Sequence, residues 1–368
     1  MILHINTSRE WRGGEQQLYY LVQGLANYKI PQIVVGQPGS PLETKCKDNG
    51  YEFVPIEMRG EWDRKAYKNI RSLCLSKNIK LIHTHTAHAH TLALLAKRNH
   101  LNIPLIVSRR VDFKPKTSFF SKWKYQHPAN DYYLPVSQKI KEVMISSKIA
   151  PERIITVYSG IDLKRFSKPT AHEYLREEFH IPKKAVIIGN VAALVDHKDQ
   201  ETLIHAISKM KSNLDFRLLI VGEGKLEKKL KTLTDSLNLN DKIIFTGYRK
   251  DIPALLSLFD IFTLTSKEEG LGTAVLDAMA CSLPIVATNG GGIGEMLDHN
   301  EGAFVCPVGD SEVIAQGLDK LVSSEDLREQ FGNFNKTSVK RFSVTKTIDK
   351  TKLIYYSFLG DSLYGEGK

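Results

Sequence analysis

Short apolar runs alternate along this chain with longer stretches in which apolar positions recur every three or four residues. ILHI (2–5), IVVG (33–36), KLIHTH (80–85) and PLIVS (104–108) predict strands, and GEQQLYYLVQGLA (14–26) predicts a helix between the first two. The second half repeats the alternation with AVIIGN (185–190), FRLLIVGEG (216–224), KIIFTG (242–247), IFTLTS (261–266) and PIVAT (284–288). It then turns helical in SEVIAQGLDKLV, SEDLREQFGNF and VTKTIDKTKLIYYSFLG. Strands separated by helices predict parallel sheets wrapped by helices, an α/β architecture. A polar stretch with Pro169 and Pro182 over about 163–184 reads as a linker. The length of 368 residues fits two domains, because a single core stops growing at roughly 250–300 residues.

Charge changes the picture more than composition does. Hydrophobic residues make up 42% and charged residues 25%, ordinary for a globular protein. The net charge of +10 is unevenly placed: residues 1–160 carry 24 Lys and Arg against 12 Asp and Glu, and the remainder 27 against 29. A basic first half implies an anionic partner, such as a phospholipid surface, a phosphorylated acceptor or nucleic acid. No nucleic-acid-binding motif accompanies the charge, so nucleic acid is not expected. The start MILHINTS has no basic n-region with a long apolar core, so no secretory signal is expected, and no apolar run approaches the ~20 residues that span a bilayer. Cys46, Cys74, Cys281 and Cys306 lack metal or redox spacing and read as reduced thiols of a cytoplasmic protein.

The stretch SKEEGLGTAVLDAMACSLPIVATNGGGIGE (266–295) carries the densest chemistry. A buried strand runs into an acidic, glycine-containing turn and a helix to about Cys281; Pro284 then opens another strand, ended by Gly290–Gly292. The amides of Gly270, Leu271, Gly272 and Thr273 at that helix start, with the positive end of its dipole, suit an anion such as a diphosphate. Glu269 and Asp277 would repel phosphate but accept hydrogen bonds from sugar hydroxyls. The combination predicts a nucleotide-sugar pocket.

This pattern resembles the donor-site signature of family 4 glycosyltransferases, retaining enzymes of the GT-B fold. Glu269 and Asp277 match that family's E-x7-E pair, with Asp in place of the usual second Glu. The resemblance implies two Rossmann-like domains facing a cleft, with the terminal helix crossing back to the first: 1–162 plus about 346–368, and 163–345. It implies that Glu269 contacts the donor sugar and Asp277 the ribose. It also implies that Lys198 grips the diphosphate with Asn190 or His197 where the family has Arg, and that Arg249 lies near the base. Gly13-Gly14, matching the family's Gly-Gly turn, would face the donor phosphates, followed by Glu15 and Gln16 in place of the usual Glu. VYSGID stands for V-x-N-G-[IV]-D, with Ser159 for Asn.

The run HTHTAHAH (His83, His85, His88, His90) has no Cys or acidic partner nearby and is not expected to form a zinc site. His85 is placed instead at the carboxyl end of a parallel strand, where ligands bind. After the next strand, Ser108-Arg109-Arg110 replaces the His that several family members carry, and Arg109 or Arg110 can hold a phosphate or carboxylate. Glu269, His85 and Arg109 are therefore the candidate catalytic residues. Lys114, Lys116, Lys122 and Lys124 interleave with Phe113, Phe119, Phe120, Trp123 and Tyr125, a pattern that suits an anionic membrane surface or a loop packed on its own domain.

The expected function is retaining transfer of a sugar from a nucleotide donor to an acceptor hydroxyl, without a metal or cofactor. A lipid-linked or phosphorylated glycan of the bacterial envelope is the expected acceptor, at the inner face of the cytoplasmic membrane. Two rivals stay open: a nucleotide-sugar epimerase, which needs no acceptor, and a non-catalytic carbohydrate- or membrane-binding module.

Overall fold

The computed structural model describes residues 1–98, 101–111, 118–166, 170–360 and 363. Phe113, Lys114 and Lys116 of the basic-aromatic stretch, and Pro169 of the linker, lie outside them. The chain divides into two compact units, Met1–Gly160 with Val344–Lys368, and Ile161–Ser343.

The first unit contains strands β1 (Ile2–Ile5), β2 (Gln32–Gly36), β3 (Phe53–Pro55), β4 (Leu81–Thr84), β5 (Leu105–Arg109) and β6 (Tyr132–Pro135). Helices α1 (Gly13–Asn27), α2 (Pro41–Asp48), α3 (Arg64–Ser76), α4 (Ala87–Lys97), α5 (Phe119–Gln126) and α6 (Gln138–Ser146) connect or follow them. The strands are parallel, in the order β3-β2-β1-β4-β5-β6. Apart from the edge strand β3, whose residues are half-buried or exposed, they are largely buried on both faces, which is why they read as apolar runs rather than as alternation.

The second unit holds α7 (Glu173–Glu178), β7 (Val186–Val191), α8 (Gln200–Lys209), β8 (Phe216–Val221), α9 (Glu227–Ser236), β9 (Ile243–Gly247), α10 (Ile252–Leu258) and β10 (Ile261–Leu264). It continues with α11 (Thr273–Ala280), β11 (Ile285–Thr288), β12 (Ala303–Cys306), α12 (Ser311–Ser323) and α13 (Glu325–Ser338). Its sheet, also parallel, runs β12-β11-β10-β7-β8-β9. The last helix, α14 (Val344–Leu359), belongs to the first unit. Ile348, Ile354 and Tyr355 from it join Leu21, Leu25, Leu81 and Ile106 in one apolar cluster.

Both sheets therefore reverse strand order at one place, between β1 and β4 and between β7 and β10. In open α/β sheets ligands bind outside the carboxyl ends of the strands at such a switch point. No described helix is long and apolar enough to cross a membrane.

Candidate functional site

At the second switch point, β10 delivers its carboxyl end to the loop that follows β7. The Thr265 hydroxyl donates to the carbonyls of Asp199 (3.0 Å) and Lys198 (3.3 Å), and the Lys267 amide donates to the His197 carbonyl (2.8 Å). Asp199 takes a left-handed backbone (φ 51°) at the start of α8, and its carboxylate pairs with Lys267 at 3.1 Å. These bonds fix the turn Asp196–Lys198 against the acidic loop, so that Lys198 Nζ meets Glu269 Oε1 in an ion pair. Ser266 Oγ also donates to Glu269, at 3.2 Å. Both members of the pair are mostly buried, with side chains 18% and 13% exposed.

The backbone of this loop is locked from β11. Thr288 Oγ1 donates to the Ser266 carbonyl (2.6 Å), and the Gly292 amide donates to the Glu269 carbonyl (2.9 Å). A Cβ on Gly290 would lie 2.1 Å from the Ser266 carbonyl oxygen, so only glycine permits this approach. Gly272, at φ 88°, turns the chain into α11, whose start has no side-chain cap. The Val275 amide donates back to the Gly272 carbonyl (2.9 Å), and the Thr273 and Ala274 amides of its first turn remain available to an anion. Leu271 is buried beneath them; Gly270 and Thr273 are half-buried. Asp277, one turn further on, is half-buried too. Burial pushes its carboxyl up to about 7, partly countered by the Arg165 charge nearby.

Two proposed donor residues are otherwise engaged. Asn190 has 0% exposure and donates to the Thr263 carbonyl at 2.9 Å, so it ties β7 to β10 out of a ligand's reach. Arg249 is held by the carboxylates of Glu178 and Asp251, the latter also accepting from Tyr174 at 2.9 Å. Its guanidinium is saturated with acid and makes a poor partner for a base.

The first unit sorts the paired arginines. Side chains alternate along a strand, so Arg109 turns toward α5, where it donates to the Tyr125 hydroxyl (2.7 Å) and stacks over that ring at 5.2 Å. It is buried, and its expected place at the reacting centre gives way to one that braces α5. Arg110 takes the opposite face, over Gly14 in the first turn of α1. His85 does sit at the carboxyl end of β4, with a companion that sequence reasoning missed. Register places His4 of β1 beside His83 of β4, and His4 Nδ1 lies 3.1 Å from His85 Nε2. One nitrogen from each of His4, His83 and His85 falls within 4.8 Å of the others. His83 has both nitrogens occupied, by the Tyr355 hydroxyl at 2.5 Å and the Ser108 hydroxyl at 2.8 Å. Burial holds His4 down to about 3 and keeps His83 and His85 well below their ordinary range, with nearby histidines and Arg110 adding to the effect on both. His88 is exposed, and His90 bonds Asn130 at 2.7 Å inside α4's packing.

At the other edge of this sheet, next to the loops entering β5 and β6, Trp62, Leu94, Phe119, Phe120 and Trp123 line a groove of about 810 Å³. Phe119, Phe120 and Trp62 are 78%, 62% and 50% exposed, and Arg98 and Lys122 are exposed beside them. Lys124 is not part of that face. It turns inward to Glu61 at 3.0 Å, because the helical turn sets it on the α4 side of α5.

Comparison with known proteins bears on the family and the fold. Residues 11–165 match the Glycosyltransferase Family 4 model, and residues 172–338 match Glycosyl transferases group 1. The chain is 29% identical over 58% of its length to N-acetyl-alpha-D-glucosaminyl L-malate synthase of Bacillus anthracis, and this match spans 56% of that relative. It is 24% identical, over 80% of the chain and 79% of the relative, to the UDP-Gal:alpha-D-GlcNAc-diphosphoundecaprenol alpha-1,3-galactosyltransferase of Escherichia coli. Anabaena HepE, solved in complex with UDP and glucose, superposes with a TM-score of 0.83 at 19% identity, covering 97% of this chain and 99% of its own. With these two domain models on its two units and this parallel switch-point architecture in each, the chain belongs to the GT-B glycosyltransferases, with a family 4 first domain and a group 1 second domain.

Proposed function

We propose that the protein transfers a sugar from a nucleotide-sugar, UDP-linked by preference, to an acceptor hydroxyl with retention of configuration. The observation that carries this reading is the Lys198–Glu269 pair beside the uncapped start of α11, at the switch point of the second sheet. Bound donor gives each member a new partner. Lys198 and the 270–273 amides take the diphosphate, whose charge grows as the glycosidic bond breaks. Glu269 accepts hydrogen bonds from the sugar hydroxyls, and Asp277 from the ribose. A retaining hydrolase needs a carboxylate nucleophile at the anomeric carbon. Here Glu269 orients the sugar instead, and the acceptor hydroxyl attacks from the leaving-group side, passing its proton to the departing phosphate oxygen. No metal is needed in this scheme.

UDP is favoured by the ligand of Anabaena HepE and by the donor in the E. coli relative's name. That name also supplies a lipid-linked acceptor, in keeping with the basic first half. The exposed aromatic groove flanked by Arg98 and Lys122 suits docking on anionic lipid, with the rings in the interface and the cations on the headgroups. A lipid-linked or phosphorylated envelope glycan at the inner face of the cytoplasmic membrane is the acceptor class this reading names.

Nucleotide release tests it, run with UDP-, GDP-, ADP- and CMP-sugars on wild type and Glu269→Ala. Slow release from one donor, lost in the variant, is expected. Donor conversion to an isomeric nucleotide-sugar, or no release from any donor, contradicts transfer.

A further inference from the structure

Three histidines meet at the carboxyl ends of β1 and β4. The run HTHTAHAH by itself brings only His83 and His85 to one place, because His88 is exposed and His90 bonds Asn130. Residues two apart share a face of a strand, and parallel register adds His4, which pairs with His83 across the sheet. His4, His83 and His85 are buried, at 0%, 1% and 5% exposure, and one nitrogen from each lies within 4.8 Å of the others. Among the described residues no carboxylate or thiolate joins the group. Burial keeps the imidazoles neutral, the form that coordinates a metal.

His4 Nδ1 and His85 Nε2 face each other at 3.1 Å. Two ligands of a tetrahedral zinc ion, each at about 2.0–2.1 Å, stand roughly 3.3 Å apart, so an ion between these two needs little movement. The outer groups suit the same arrangement. Gln32 hydrogen bonding favours the protonated form of His4, and both Gln32 Oε1 and His4 Nε2 lack another partner. A carbonyl oxygen there keeps the proton of His4 on Nε2 and leaves the Nδ1 lone pair facing inward. Among the described residues only His4 bonds the His85 ring, whose Nδ1 is buried without a partner. Nothing therefore holds the proton on His85 Nε2, and in the other tautomer that nitrogen presents a lone pair to the ion. His83 is held from both sides, by the Tyr355 hydroxyl at 2.5 Å and the Ser108 hydroxyl at 2.8 Å. Whichever of its nitrogens turns to a metal, the other keeps a hydroxyl that orients the ring.

We propose that His4, His83 and His85 form a three-histidine site for a transition-metal ion, zinc by preference, which staples β1 to β4 and, through the Tyr355 hydroxyl on His83, braces α14. Three neutral imidazoles with a fourth position open are an established zinc ligand set, whereas magnesium, calcium and manganese favour oxygen ligands. Ring rotation closes the remaining gap to the third nitrogen. The site lies in the first unit, while Lys198 and Glu269 lie in the second, so its role is structural and it does not rest on the transferase reading. The Arg110 charge acts on His83 and His85 and opposes a dication. With no carboxylate to offset it, the expected affinity is micromolar rather than that of a thiolate site.

Zinc titration of the chelator-treated full chain, read by competition with a chromophoric zinc indicator, tests the site on wild type, His4→Gln, His85→Gln and the exposed control His88→Gln. Wild type should take up one zinc per chain with a micromolar Kd and gain several degrees in melting temperature at saturation. His4→Gln and His85→Gln should each weaken binding at least tenfold and lose the thermal shift, with His88→Gln within twofold of wild type. A buried substitution can unfold the chain, so His85→Cys supplies a second readout. Its cobalt(II) form should show a thiolate-to-cobalt charge-transfer band that cobalt-loaded wild type lacks. No zinc uptake by wild type, uptake that survives His4→Gln, or cobalt-loaded His85→Cys without that band would each overturn the site.

Discussion

Replacing Asp277 with Asn isolates one buried charge. The carboxyl titrates near 7 in the folded chain because burial disfavours the ion more than Arg165 favours it; an unfolded Asp titrates near 3.9. Between those values the native state holds a proton that the unfolded chain has lost, so this group's contribution to stability falls as pH rises. It is fully present below about pH 4 and gone above about pH 7. Integrating the linkage relation from pH 5 to pH 8 gives a loss of roughly 3 kcal/mol from this residue alone. The substituted amide cannot ionise, so the stability of Asp277→Asn relative to wild type should rise by roughly 3 kcal/mol between pH 5 and pH 8, with the two proteins converging only below about pH 4, before any loss of packing. Urea unfolding of both proteins at pH 5 and pH 8, followed in the transition that includes the second unit, reads the difference directly. Parallel pH dependences would refute the assignment of a burial-raised carboxyl. UDP affinity supplies the functional counterpart: the variant should bind more weakly at pH 8, where the ionised carboxylate is the better acceptor for ribose hydroxyls.

Two further perturbations follow from the geometry. Gly290→Ala puts a Cβ 2.1 Å from the Ser266 carbonyl and 2.9 Å from that of Lys267, both backbone atoms. The strand ends must part, and donor-dependent nucleotide release should fall at least tenfold with a melting temperature lowered by several degrees; unchanged release would mean that this crossing does not hold Glu269 in place. Phe119→Ser with Phe120→Ser removes the most exposed rings of the groove and should weaken sedimentation with phosphatidylglycerol vesicles several-fold while leaving UDP affinity intact. Equal sedimentation of variant and wild type would move the lipid contact elsewhere.

The parts of this molecule legible in the sequence are those written locally. The strand runs, the acidic turn with its glycines and the helix start at Thr273 lie within thirty contiguous residues and appear where the pattern puts them. What escaped depends on register and side-chain direction. His4 reaches His85 through parallel pairing of β1 with β4, strands separated by most of a hundred residues. Arg109 and Arg110 are neighbours in sequence, yet strand alternation sends one to α5 and the other to α1. Asn190 stands where a ligand residue was expected, but β10 covers it and takes its amide. Arg249 meets Glu178 from a helix some seventy residues earlier. Trp62 completes an aromatic face whose other members lie some sixty residues further along the chain.

Binding measurements decide whether the donor lies on Lys198 and Glu269. Calorimetric titration of wild type, Lys198→Gln and Glu269→Gln with UDP and with the UDP-sugar that shows release separates the two roles. Lys198→Gln should weaken both ligands at least tenfold. Glu269→Gln should leave UDP within about threefold and abolish the added affinity of the sugar. Variants that bind both ligands as wild type does would contradict that placement.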